Sequence, residues 1–340
     1  MDTPTSPKRF VLVGVGRFGA NHLKALRDLG VPLTIVDKDE KALAKAAQEV
    51  PGAKTARSLV EVLPEASAVS IVTTAPAHGP LAIQAMEAGL DVFIEKPLAP
   101  TAKESSALAA KADALGRILQ VGHIYRYHPA SAKAREMIRT GAIGTPRYAH
   151  AIFSGFKRPR TDGGAATSDG VHFVDLCAFL LDAPARTAMG ATRDFLGLGQ
   201  EDVSFLSFDH GAAMSHVEAS YFLPGRARKI LVVGSDAMIS IDFDAKPALS
   251  LLRHAHRKDP LGAWTAIEGA VEHPEVPAAD PLRTEIQAFL DSVKTRTRPL
   301  ADGWVGTAAV AAIETALASA KEGRALPIPD FTPKTARRSL

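Results

Sequence analysis

The sequence predicts an α/β chain: a doubly wound parallel sheet first, then an α+β domain built on a large, open, mainly antiparallel sheet. Three observations carry this. Between residues 9 and 122, short apolar runs alternate with longer helical stretches. A glycine-rich turn separates the first run from the first helix, as in βα units that bind dinucleotides. Beyond Gly122 the alternation gives way to apolar or alternating runs joined by tight turns.

In order, FVLVG, PLTIVD, AVSIVTT, DVFIEK and RILQVG read as strands buried on both faces, the mark of a parallel sheet. RFGANHLKALRDLG, DEKALAKAAQEV, AHGPLAIQAMEAGL and TAKESSALAAKADALG read as the intervening helices, several closing on glycine. Later, PRYAHAIFSGF, DVSFLSFDHGAAMSHVEASYFL and RKILVVGSDAMISIDFD read as strands, with DHG and GSD as hairpin signals. Residues 203–208 carry apolar side chains on both faces, so one face is expected against the first domain's helices and the other against a second subunit. Helices over 281–295 and 303–321 follow, the second with Asp302 as N-cap and Gly323 past its end. The domains are expected at 1–122 and 123–340.

Composition narrows the partners. Of 340 residues, 46% are hydrophobic and 23% charged, ordinary for a globular protein. Forty basic against thirty-seven acidic side chains leave +3, too little and too dispersed for nucleic acid or an anionic membrane. Small molecules and further copies of the chain are the expected partners, as a homodimer or homotetramer. The single cysteine, Cys177, lies in the apolar run DLCAFLL and reads as a buried, inert thiol in a reducing, cytoplasmic compartment. No run approaches the eighteen or so uninterrupted apolar residues of a membrane helix. The first residues and the basic tail TPKTARRSL are expected to fray.

GVGRFG follows the first strand and opens the first helix. Gly14 suits the tight turn, Gly16 lets a pyrophosphate approach the backbone, and Gly19 permits close helix-to-strand contact. Asp37 ends the second strand, about twenty residues on, where an acid bonds the ribose hydroxyls. A carboxylate there repels a 2′-phosphate and favours NAD, with NADP as the alternative that the neighbouring Lys38 tolerates. Arg17 and Phe18 in the loop, and Thr74 and Ala75 after the AVSIV strand, complete the expected cofactor set with His78, Glu95 and Lys96. His78 has a competing reading as a helix-capping residue, and Lys96 as a solvated strand end.

Further on, TSDGVHFVDL sets Asp169, His172 and Asp175 every third residue, along one helical face. Ser168 or Asp169 also reads as a simple N-cap, with His172 a boundary residue.

The glycine loop, EKP at 95–97, VGHIYRYHPA and the helix bearing His172 together resemble the glucose-fructose oxidoreductase / inositol dehydrogenase / MocA family over nearly the whole chain. Within it, RPRTDGGAATSDGVHFVDL looks most like the UDP-N-acetylglucosamine 3-dehydrogenase branch. The resemblance implies a Rossmann domain, an open-sheet domain that mediates oligomers, and hydride exchange between a nicotinamide and a sugar or cyclitol carbon. It puts Lys96 and His172 beside the reacting hydroxyl. One departure stands out: family members often carry an aspartate four residues before the histidine, where this chain has Ser168, and Asp169 is its nearest substitute.

The chemistry asks for the same residue types. Oxidising a secondary alcohol releases a proton, so a base with a near-neutral pKa is required, and His172 fits. A fixed cation, Lys96, stabilises the developing alkoxide, and Asp169 is placed to hold the imidazole tautomer. FKRPRTDGG concentrates Lys157, Arg158 and Arg160 before that helix, matching an anionic sugar or nucleotide sugar, or else a solvated loop. Tyr125, Arg126 and His128 are expected to meet sugar hydroxyls. His254 and His256 lack a third ligand nearby and read as surface residues, so no metal is expected. Two other functions compete: an NAD-dependent glycosidase or lyase that oxidises its sugar transiently, and a catalytically silent NAD-binding sensor. A sensor needs the glycine loop but no proton relay.

Overall fold

The computed structural model describes residues 8–160 and 163–331. The expected frayed leader and the tail TPKTARRSL lie outside the described residues, as do Thr161 and Asp162 of the basic loop. Two compact units make up the chain: the residues up to Ile124 with Asp280–Thr307, and Tyr125–Ala279 with the residues from Ala308 on.

The first unit holds β1 (Arg9–Val13), α1 (Gly19–Asp28), β2 (Leu33–Val36), α2 (Glu40–Glu49), β3 (Lys54–Ala56) and β4 (Ala66–Ile71). It continues with α3 (Ala75–Glu87), β5 (Asp91–Ile94), α4 (Ala102–Ala114) and β6 (Leu119–Val121). All its pairings are parallel, in the order β3-β2-β1-β4-β5-β6, so the order reverses between β1 and β4. Ligands of doubly wound sheets bind at that reversal, outside the carboxyl ends of the strands. The five expected strands are present. The unanticipated sixth, β3, is a short edge strand with Lys54 and Thr55 exposed and Ala56 half-buried, and no apolar run betrays it. Helices begin and end on local chemistry: Asp39 caps α2, Thr101 and Glu104 form a reciprocal capping box on α4, and Gly30, Gly89 and Gly116 follow helix ends at positive φ.

The second unit holds α5 (Pro129–Arg139), β7 (Tyr148–Gly155), α6 (Val171–Leu181), β8 (Thr187–Arg193), β9 (Val203–Asp209) and β10 (Met214–Ser220). Next come β11 (Arg226–Val233), β12 (Ala237–Asp242), β13 (Leu249–Lys258) and β14 (Trp264–Glu272). After α7 (Pro281–Thr295) and α8 (Gly303–Glu322), the short β15 (Leu326–Pro327) closes the nine-stranded sheet β14-β13-β12-β11-β7-β10-β9-β8-β15. Every pairing is antiparallel except β7 with β10.

Two expectations need correction. The segment carrying α7 belongs to the first unit, because Leu282, Ile286 and Phe289 form one apolar stripe. Phe289 meets Phe10 and Phe93 edge-on at 6.2 and 5.9 Å. Secondly, the inner face of the nine-stranded sheet packs on helices of its own unit, through Ala130 and Ala134 of α5, Phe173 and Leu176 of α6, and Ala312 and Ile313 of α8. On the outer face, among the described residues, Tyr148, Met189, Phe205 and Met214 are exposed. Separately, α8 is long and apolar enough by length and composition to cross a membrane, but Thr307, Glu314, Thr315 and Ser319 interrupt its apolar run and 67% of that stretch is buried, as befits a core helix.

Candidate active site

In the first unit, the glycine loop is shaped by what a side chain would strike. Gly14 has φ +92°, and a Cβ there would lie 2.4 Å from the Val72 carbonyl oxygen. A Cβ on Gly19 would lie 2.1 Å from the Gly14 oxygen. A Cβ on Gly16, between them, would meet nothing within 4 Å, which leaves room where a pyrophosphate would approach the backbone. Arg17 and Phe18 are exposed at the loop tip. Asp37, past the end of β2, reaches back to this loop: one carboxylate oxygen accepts from the Val15 N–H at 2.8 Å and the other from the Asp39 N–H at 3.0 Å. Lys38 is exposed beside it. Room at Gly16 and an oriented carboxylate at Asp37 fit a dinucleotide.

Lys96, half-buried, follows β5, and its backbone N–H donates to Glu95 Oε2 at 3.1 Å. Glu95 is itself buried, with Oε1 2.8 Å from Nε2 of the fully buried His22 on α1. Gly122 makes room for this carboxylate, since a Cβ there would lie 2.8 Å from it. Glu95, expected to touch the cofactor, is thus a buried tie between α1 and the lysine turn. His78 also departs from expectation. It is buried within α3, with Nδ1 2.9 Å from the Pro97 carbonyl and Nε2 3.2 Å from the Thr73 carbonyl. The ring joins the two loops that follow β4 and β5. Burial holds its pKa below the usual 6.5, although both carbonyls oppose that shift. Thr74 is exposed at the N-cap of α3 and Ala75 opens that helix, half-buried.

In the second unit, His172 stands in the first turn of α6, half-buried among rings. Phe153 of β7 stacks on it at 5.4 Å and 18°, and Tyr125 meets it edge-on at 5.4 Å. Burial pushes the Tyr125 phenol up to about 12, so it remains an O–H donor at neutral pH. The expected row of Asp169, His172 and Asp175 is interrupted. Residues Ala166–Gly170 form a π-helical turn ahead of α6, so Asp169 does not share the spacing that aligns residues within the α-helix. Asp169 pairs with Lys157, whose ammonium lies over the Phe153 and Tyr221 rings at 5.5 and 5.4 Å. Asp175 pairs with Arg126.

That pair corrects the expectation for Arg126. Its Nε and Nη2 donate to the Asp175 carboxylate at 2.7–3.0 Å, both side chains are buried, and the guanidinium lies 4.8 Å from the Phe179 ring centre. It holds α6 rather than meeting a sugar. His128 caps α5, its Nδ1 accepting from the Ala130 N–H at 3.2 Å, with its ring edge-on to Phe243. Arg158 and Arg160 are exposed, and the Arg160 carbonyl accepts from Gln200. Phe153, which stacks on His172, Arg228 on the far side of that ring, and Phe243 against Tyr125 were missed in the sequence. The one signal was an arginine in an inward-facing position of RARKILVV.

Two family models match the chain: an oxidoreductase family with an NAD-binding Rossmann fold over residues 8–123, and the GFO/IDH/MocA C-terminal domain over 131–240. Among curated relatives, the NAD(+) scyllo-inositol 2-dehydrogenase of Bacillus subtilis is 33% identical, over 73% of this chain and 75% of its own. D-apiose dehydrogenase of Paraburkholderia graminis is 28% identical, over 95% of this chain and 90% of its own. Among solved structures, UDP-N-acetylglucosamine 3-dehydrogenase of Acidithiobacillus ferrooxidans superposes with a TM-score of 0.81 at 25% identity, covering 93% of this chain and 98% of that one. With an NAD-binding Rossmann fold in its first unit, the chain belongs to the GFO/IDH/MocA oxidoreductase family.

Proposed function

We propose that the protein oxidises a secondary hydroxyl of a sugar, cyclitol or nucleotide sugar, with Lys96 and His172 as the groups that handle its oxygen and proton. The observation that carries this reading is the fixing of Lys96. Its backbone is tied through Glu95 to His22 on α1, the helix that opens on the glycine loop. Gly14, Gly16, Gly19, Arg17 and Phe18 receive the pyrophosphate, Asp37 the ribose, and Thr74 and Ala75 line the approach to Lys96. When bound, the nicotinamide supplies the hydride acceptor. His172 takes the hydroxyl proton while the Lys96 ammonium stabilises the oxygen as it becomes anionic. Asp169, through its pair with Lys157, sets the charge beside the imidazole.

The relatives' named substrates, scyllo-inositol, apiose and UDP-N-acetylglucosamine, share a ring carbinol and support that substrate class. The exposed apolar outer face of the nine-stranded sheet supports association of copies as a dimer or tetramer. The buried single thiol of Cys177, pushed up to about 12 by burial, fits a cytoplasmic protein. The test is NADH formation on a panel of free sugars, inositols, sugar phosphates and UDP-sugars. Turnover supports the dehydrogenase. Tightly retained NAD with elimination of a glycosidic bond and no net NADH would replace it with the transient-oxidation reading. Binding without chemistry would leave a sensor.

A further inference from the structure

β11 alternates across its sheet, so Arg228, Ile230 and Val232 share the face that carries the core. Ile230 and Val232 are fully buried there, whereas Arg228 puts a cation in the same row. Its partner across the ladder is Phe153, and its guanidinium carbon stands 4.9 Å from that ring's centre. The same ring stacks on His172. Arg228 is therefore one aromatic ring away from the histidine, and its positive charge opposes the rise in the Tyr125 pKa.

Neighbouring cations have acids of their own: Arg226 pairs with Asp244, Lys229 with Asp242 at 2.8 Å, and Lys157 with Asp169. Among the described residues no carboxylate or carbonyl pairs with Arg228, and its Nε is buried without a partner. An apolar side chain of similar length would fill the row without leaving a polar atom unsatisfied. The Phe153 ring gives the guanidinium a cation–π contact but satisfies none of its N–H groups, and a guanidinium fork with free N–H groups matches a carboxylate or phosphate.

We propose that Arg228 is a specificity residue that receives an anionic oxygen group, carboxylate or phosphate, carried by the sugar whose hydroxyl faces His172. This rests on the reading of His172 as the base, and it locates anion recognition on the sheet, whereas the sequence pointed to Arg158 and Arg160.

The test compares wild type, Arg228→Gln, Arg228→Lys and the outer-face control Lys229→Gln on matched pairs: D-glucuronate and D-glucose, glucose 6-phosphate and glucose, UDP-glucose and methyl glucoside. Wild type should prefer the charged member of at least one pair, and which pair responds separates carboxylate from phosphate sources. Arg228→Gln should raise KM for that substrate roughly 10–100-fold with a smaller change in kcat, and Arg228→Lys should recover part of it. Lys229→Gln should behave as wild type. Turnover with no charge preference, or an equal loss on charged and neutral members, would overturn the anion site and leave the dehydrogenase standing. Calorimetric titration of the NAD-loaded protein with the same compounds covers silence: charged ligands that bind wild type but not Arg228→Gln, without turnover, would keep the anion site and overturn the dehydrogenase. No binding and no turnover would overturn both. Finally, Arg228→Met should raise the thermal midpoint by roughly 2–4 °C, and a lowered midpoint would recast the arginine as a structural residue and overturn the proposal.

Discussion

Beside the glycine loop, polar side chains spend their hydrogen bonds on backbone and on one another: Glu95 on the Lys96 N–H and the His22 ring, His78 between the Thr73 and Pro97 carbonyls. Around His172 the surroundings differ. There the imidazole, Lys157 and Arg228 lie against the Phe153 ring, and their neighbours come from β7, α6 and β11. The first region is preorganised by main-chain geometry, which serves one invariant ligand. The second is assembled from side chains, and its chemistry changes with each residue. The differing substrates named for the relatives, scyllo-inositol and D-apiose, accord with that division of labour.

The sharpest break of this comparison removes one acid–base group from each region. Lys96→Ala and His172→Ala should each lower kcat about 10²–10⁴-fold while NAD affinity, read by fluorescence titration, stays within about threefold. A variant with full turnover would remove its residue from the mechanism.

The glycines offer a finer split. Gly14→Ala and Gly19→Ala should lower the thermal midpoint and abolish NAD binding together, by about 1–3 kcal/mol of strain or more, since each new methyl strikes a carbonyl. Gly16→Ala meets nothing within 4 Å and should weaken NAD about tenfold or more with the midpoint unmoved. A midpoint that falls equally in all three would mean that Gly16 shapes the loop as well.

Asp37→Asn should weaken NAD roughly tenfold, as loss of a charge-assisted bond does, and narrow the preference over NADP. Unchanged discrimination would exclude this carboxylate from the choice of cofactor.

The smallest expected effect is in pH. An imidazole whose folded pKa lies below its unfolded value of 6.5 contributes stability present in full above pH 6.5 and lost as the pH falls through the folded pKa. His78 is such a group, and burial shifts His128, His210 and His216 the same way. The thermal midpoint should therefore fall as the pH drops from 7 to 5. The advantage of wild type over His78→Gln should shrink over the same range. A gap that widens on acidification would show that His78 is bound in its protonated form.

What could be read in the sequence follows the same boundary. The parallel sheet, its glycines and Asp37 depend on local pattern and spacing, and they stand where the pattern put them. The row of Asp169, His172 and Asp175 assumed one uninterrupted α-helix, which a π turn denies. Arg126 and His128 were polar residues in a favourable place, but only tertiary packing reveals that one is spent on Asp175 and the other on a helix cap. Arg228 and Phe153 are 75 residues apart in the chain yet directly opposed in the sheet, a pairing no local window contains.

The lone parallel seam of the larger sheet bears on how activity is gained during folding. Hairpin neighbours such as β9 and β10, or β11 and β12, close over short turns, whereas β7 meets β10 only after Tyr148 finds Met214, a contact distant in sequence. Such closures are the slow steps of chain collapse. Phe153 lies on β7, so the wall behind His172 is complete only when that seam has formed. Recovery of turnover after dilution from denaturant therefore waits on both long-range closures of β7, with β10 on one edge and β11 on the other.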